Sequence, residues 1–189
     1  MSQGFISGQT VAYPLFVSLG GTGQSSSTGT GITVLQTAPT ITLPLIVGVT
    51  TNSNAAAGSV GEYIENSLAV GSAISLTSTT PANIISISLT AGDWDVRGII
   101  GFSLVTSSTV ITYLEGCSTS TSATISTNHT TSFPMATGGS TVVGNNFLLP
   151  IPFQRFSLAS TTTIYLVVQA SFSANTCSGY GSINARRIR

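Results

Sequence analysis

Lysine is absent from this 189-residue chain, and charge of either sign is scarce: five arginines, five acids and a formal net charge of zero. Charged residues make up 5% of it, against roughly 25% in an ordinary soluble domain. A polyanion binder needs a basic excess, so nucleic acid is not an expected partner. Phosphate-cradling loops of the Walker type need their lysine, so Gly20 to Gly23 reads as a flexible linker. One histidine and two cysteines are too few for a zinc site within one copy or for a disulfide framework. Cys117 and Cys177 are therefore expected as free, partly buried thiols. Long apolar runs are missing too. Leu43 to Val49 is interrupted by Pro44 and falls far short of the ~20 residues of a spanning helix. Met1 to Gly8 carries no positive n-region, so neither membrane insertion nor an export signal is expected. Glu and Gln are sparse and no apolar set recurs at helical spacing, which argues against helices.

What fills the chain instead is 58 serines and threonines and 20 glycines, with 41% hydrophobic residues and a mean hydropathy of +0.43. Disorder driven by charge is excluded by that apolar content. One domain plus an appendage fits a mass of 19.2 kDa. Such a monomer would expose roughly 8,400 Å², so its ten charges would average one per ~840 Å². So sparse and neutral a surface predicts self-association.

The first charge is Glu62. This composition break divides the chain into an extended arm, residues 1–57, and a head, residues 58–189. The arm has islands of apolar residues (Phe5, Ile6, Tyr13, Pro14 and Phe16 among them) within Gly/Ser/Thr-rich sequence. Alone it cannot bury enough to offset its ordering entropy, so it is expected to order against another surface.

Alternation begins in the head, with the period of two that marks half-buried strands. Ile85, Ile87 and Leu89 alternate with Ser86 and Ser88, and Trp94, Val96, Gly98, Ile100, Phe102 and Leu104 fall on one face of the next run. Ile111 and Tyr113 oppose Val110, Thr112 and Leu114. Val142 to Leu149 and Phe153 to Leu158 read as two short runs around Pro150 and Pro152, and Tyr180 to Ile188 as a last strand. Ser118 to Ser132 reads as a long surface loop with a short strand at Thr124 to Ser126. Seven or eight strands with Gly/Ser/Thr turns predict an all-β, antiparallel jelly-roll sandwich. Thr163 to Ala170 is apolar on both faces, which predicts burial against a neighbouring copy and favours a trimer. Tyr165, Val167 and Phe172 are the expected trimer contacts, with Trp94 a core or interface anchor ahead of a sugar-stacking platform.

Candidate chemistry is thin. Asp93 and Asp95 share one face of a strand start, about 7 Å apart by strand rise, in reach of a Ca²⁺ ion or of acid/base work on sugars. The plainer reading pairs them with solvent or with Arg97 or another arginine. Glu115 and His129 complete the groups an enzyme could use, but no Gly-x-Ser-x-Gly elbow accompanies the many serines. No catalytic activity and no cofactor or metal are expected. Arg186, Arg187 and Arg189 concentrate charge at the C-terminal end. An inter-strand or inter-subunit structural role is expected ahead of a grip on an anionic glycan or lipopolysaccharide. The plainest reading is a solvated tail balanced by Glu62 or Glu65.

Three groups of residues resemble tailed-bacteriophage tail-fibre and virion-fibre proteins. The first is Leu19-Gly20-Gly21-Thr22-Gly23 through Ser27 to Gly31 and Val34 to Ile41. The second is Gly61-Glu62-Tyr63-Ile64 with Ser86 to Gly98. The third is Thr163 to Leu166 with Ala185-Arg186-Arg187-Ile188-Arg189. The resemblance implies a homotrimeric virion protein, assembled in a host cytoplasm and exposed on the particle. Its arm would dock on other virion proteins, and a TNF/C1q-like jelly-roll head would attach to host-surface glycan or lipopolysaccharide. With an arm this short, capsid decoration or a head fibre is the alternative, and a free lectin-like trimer a third. Host contacts would lie in loops such as Ser118 to Ser132 or Thr137 to Asn146.

Overall fold

A computed structural model describes residues 51–104, 110–134, 140–141, 146–173 and 176–189. The arm residues Phe5, Ile6, Tyr13, Pro14 and Phe16 lie outside them, as do 137–139 and 142–145 of the Thr137 to Asn146 loop. The strands are β1 (Tyr63–Leu68), β2 (Ile74–Ser75), β3 (Ala82–Leu89), β4 (Gly92–Leu104) and β5 (Val110–Thr119). They continue with β6 (Thr130–Pro134), β7 (Ser140–Thr141), β8 (Asn146–Leu158), β9 (Thr162–Ser173) and β10 (Cys177–Arg187). Among the described residues the helical content is one 3₁₀ turn, Val70–Ser72.

The strands form two antiparallel sheets, β1-β10-β4-β8 with β2 beside β10, and β3-β9-β5-β6 with β7 beside β5. From β3 onward the chain alternates between sheets, apart from the β5–β6–β7 passage within the second, which is the jelly-roll order the alternation predicts. The core lies between the sheets. Trp94, Val96, Ile100, Phe102 and Leu104 enter it from β4, and Ile164, Leu166, Val168 and Ala170 from β9. Trp94, Ile100, Phe102, Ile164 and Leu166 are fully buried, each stabilising the sandwich by about 1.5–3 kcal/mol.

Four local expectations need correction. The register of β5 against β9 shifts between Ile111 and Tyr113, and this bulge puts Ile111 and Leu114 together in the core instead of on opposite faces. β8 is one strand running through Pro150 and Pro152. It ends its sheet, where a missing N–H costs no ladder bond. Thr124 to Ser126 is irregular, and Thr130–Pro134 is the strand. Asn54, placed in the arm by composition, belongs with the head: its side chain donates to Tyr63 O (2.7 Å) and accepts from Tyr63 N (2.9 Å).

The fifth correction bears on assembly. Val167 is fully buried yet points away from the core. Its strand neighbours are Asn83 on β3 and Cys117 on β5, and both hold the 120–126 loop. The Asn83 side chain accepts from Ala123 N (2.7 Å) and donates to Ser122 Oγ (2.7 Å). Cys117 Sγ accepts from Ser126 N at 3.2 Å. The outer face of β9, where Tyr165 is half-buried, is thus covered at Val167 by the chain's own loop. Ala123 sits there at φ +47°, a left-handed conformation costing an alanine about 1–2 kcal/mol, which the Asn83 bonds hold in place.

Candidate interaction surface

The acidic and basic residues of the chain gather on or beside the first sheet, with Glu115 alone on the second. Asp93, at the start of β4, is 2% exposed. It accepts a bidentate pair from Arg155 on the neighbouring β8, with Nε at 2.9 Å from Oδ1, and a further bond from Arg189 Nε. These guanidinium groups, Arg155 foremost, hold its carboxyl below the usual range against the opposing effect of burial. Asp93 therefore pairs with Arg155 and Arg189, while Arg97 is its neighbour only in sequence.

On the core side of the same corner, Arg187 is buried. It donates to Glu62 Oε2 (3.0 Å), Ala91 O (2.7 Å) and Thr90 Oγ1, and its guanidinium lies 4.3 Å from the Trp94 ring centroid. Trp94 Nε1 donates to Thr90 O at 2.9 Å. The Gly58 N–H, 2.8 Å from Glu62 Oε2, is the main cause holding the Glu62 carboxyl low, with Arg187 adding to it against burial. Of the alternatives open in the sequence, Trp94 takes the core one and has no face for a second copy, and Arg187 takes the inter-strand one, a buried lock on Glu62 inaccessible to a ligand.

The groups an enzyme could use are not brought together. Asp93 and Asp95 lie on the first sheet, Glu115 on the second, and His129 in an exposed bend. Burial raises the Glu115 carboxyl. Among the described residues no three His, Cys, Asp or Glu side chains approach as a metal site, and no helix is long and apolar enough to cross a membrane. Cys117 and Cys177 are both free and buried, one under the 120–126 loop and the other in the core. Burial pushes both thiols up, Cys177 to about 12.

The open feature is the outer face of the first sheet. Ile99, Leu148 and Phe153 are 45%, 59% and 53% exposed there. Gly101, opposite Leu148 on β8, leaves room for the Tyr180 ring, which lies where its Cβ would be. A shallow hollow of about 350 Å³ lies among Leu68, Val70, Ile99, Leu148 and Tyr180. A second of about 500 Å³ runs over Ile99, Pro150 and Phe153. Beside them a polar cleft of about 470 Å³ is lined by Tyr63, Asp95, Arg97, Asn184 and Arg186. Among the described residues Arg97 and Arg186 enter no ion pair; they rest over the Phe153 and Tyr63 rings at 5.8 and 6.0 Å.

Of the remaining expected contacts, Tyr165 is half-buried on the outer face of the second sheet, and Val167 is enclosed by the loop. Phe172 packs against the core. Arg186 is exposed in the polar cleft, and Arg189 is bound to Asp93. Ile99, Leu148 and Phe153 were not singled out by sequence. Their signal was present in the doublets Ile99-Ile100 and Leu148-Leu149, which break strict alternation as Val167-Val168 does.

No family model matches the sequence, and no curated protein does. Among solved structures the chain is similar to the infectious bursal disease virus Gx strain, at 13% identity and a TM-score of 0.41, covering 77% of this chain and 37% of that one. It is similar to the VP2 subviral particle of the same virus at 13% identity and 0.41, covering 77% and 38%. For the T13 particle of that virus the figures are 17% and 0.41, covering 77% and 36%. The chain thus spans little more than a third of the length of these structures.

Proposed function

We propose that this chain is a structural virion protein without catalytic activity: a short homotrimeric fibre of a tailed phage. Its arm docks on the particle, and its jelly-roll head meets the host surface. One observation carries the reading. Three of the stretches that resemble phage fibre proteins, Gly61 to Ile64, the Asp93 to Gly98 part of Ser86 to Gly98, and Ala185 to Arg189, converge on one corner of the head. Their most chemical residues, Glu62, Asp93, Trp94 and Arg187, are used inside it. The resemblance therefore rests on residues that hold a fold, which fits a particle component better than an enzyme. Three copies would also let weak surface contacts act together, so each site needs only modest affinity.

The test is to label the protein on intact particles and image where the label falls. Label at the tail is expected. Label over the capsid would make the protein a head fibre or decoration protein, and absence from the particle would overturn the reading. Asp95→Asn, which spares the buried Asp93 pairs, should leave any glycan-cleaving activity of particles unchanged; its complete loss would refute the non-enzymatic assignment.

A further inference from the structure

We propose that the outer face of the β1-β10-β4-β8 sheet is the surface on which one copy of this chain seats against the next. The inference rests on the homotrimer reading and names its interface. Three observations converge on it.

The first is apolar exposure. Ile99, Leu148 and Phe153 stand on this face 45–59% exposed, and Tyr180 lies flat over Gly101 between them. Contiguous apolar surface of this kind on a soluble protein marks an interaction site.

The second is charge. On the same face lie two acids, Glu65 and Asp95, and two arginines, Arg97 and Arg186, that enter no ion pair among the described residues. A polyanionic partner would call for an excess of arginine, and a basic one for an excess of acid. With Asp93 and its partners Arg155 and Arg189 beside them, the face holds three acids and four arginines; so mixed a face, apolar at one end, complements a copy of itself.

The third is the state of the other sheet. Its outward apolar residues, Val167 and Cys117, are already enclosed by the 120–126 loop. The neighbour that a doubly apolar strand seemed to require at β9 is supplied from within the chain. Among the described residues the uncovered aliphatic face is on the first sheet.

The experiment is sedimentation velocity and light scattering on the purified full chain across a dilution series. It compares wild type, Leu148→Arg, Phe153→Glu and, on the opposite sheet, Tyr165→Arg. The two substituted side chains on this face are largely exposed, and each variant is checked by its circular dichroism and melting. The expected result is a trimeric wild type and Tyr165→Arg, with dissociation of Leu148→Arg and Phe153→Glu raised by about 30-fold or more, as for interface hot spots. If the wild type is trimeric and both face variants dissociate unchanged, the surface is wrong and the homotrimer stands. A wild type that is monomeric at every concentration overturns both.

Discussion

Arg187 carries more of the fold than any other charged residue described. Its guanidinium is held by Glu62, Thr90 and Ala91 while stacking on Trp94. Removing one partner of a buried pair strands the other, so Arg187→Met is expected to cost about 3–5 kcal/mol in urea unfolding. The double variant Glu62→Gln/Arg187→Met should recover part of that loss. Acid should reach the same corner. Glu62 and Asp93 both have folded pKa values below their unfolded ones, so each binds protons more readily when unfolded. Their stabilisation is complete above the ordinary carboxylate range, near pH 4, and declines as pH falls through it toward the depressed folded values. Melting temperature should hold steady from pH 7 to about 5 and drop below about 4. Asp93→Asn should start lower and fall less steeply. Sequence alone made an arginine partner for Asp93 legible. Which arginine it was could not be read, because Arg155 and Arg189 lie 62 and 96 residues away and are brought in by sheet pairing.

Among the elements, the 120–126 loop behaves as a lid over Val167, secured by Asn83 at Ser122 and Ala123 and by Cys117 at Ser126. Asn83→Ala removes both bonds to Ala123 and Ser122 and leaves the strained φ at Ala123 unsupported. Thiol reagents should then modify Cys117 about tenfold faster or more, on the order of the ~1–2 kcal/mol those bonds contribute. Cys177, in the core, should remain as slow as before and serves as the internal control. The strands themselves were largely legible. The even positions of β4 from Trp94 to Leu104 alternate in sequence and all face inward. What escaped were the departures from period two. The bulge in β5 reverses the parity of Leu114, and the prolines of β8 are tolerated because that strand is an edge. An edge is a property of the finished sheet that no single strand's pattern records.

At the scale of the molecule, period and turn chemistry gave the jelly-roll class, because two faces of opposite polarity leave few ways to close a sandwich. They could not say which face remains open. A doublet such as Val167-Val168 looks the same in sequence as Leu148-Leu149, although one is roofed by a loop and the other stands in solvent. The pairings are also long in sequence. Tyr63 meets Arg186, and Cys177 meets Leu104. Stopped-flow refolding of the monomer should accordingly fall on the order of milliseconds to seconds, slow for a domain of this size.

The place of β10 has a consequence for synthesis. It lies between β1 and β4, and β2 also pairs with it, so a chain halted anywhere before Cys177 has neither the middle of its first sheet nor the arginine that closes the Glu62 corner. A chain lacking β10 cannot close its first sheet. Chains that stop short of β10 would therefore be left open to proteases, so that only chains carrying this strand persist.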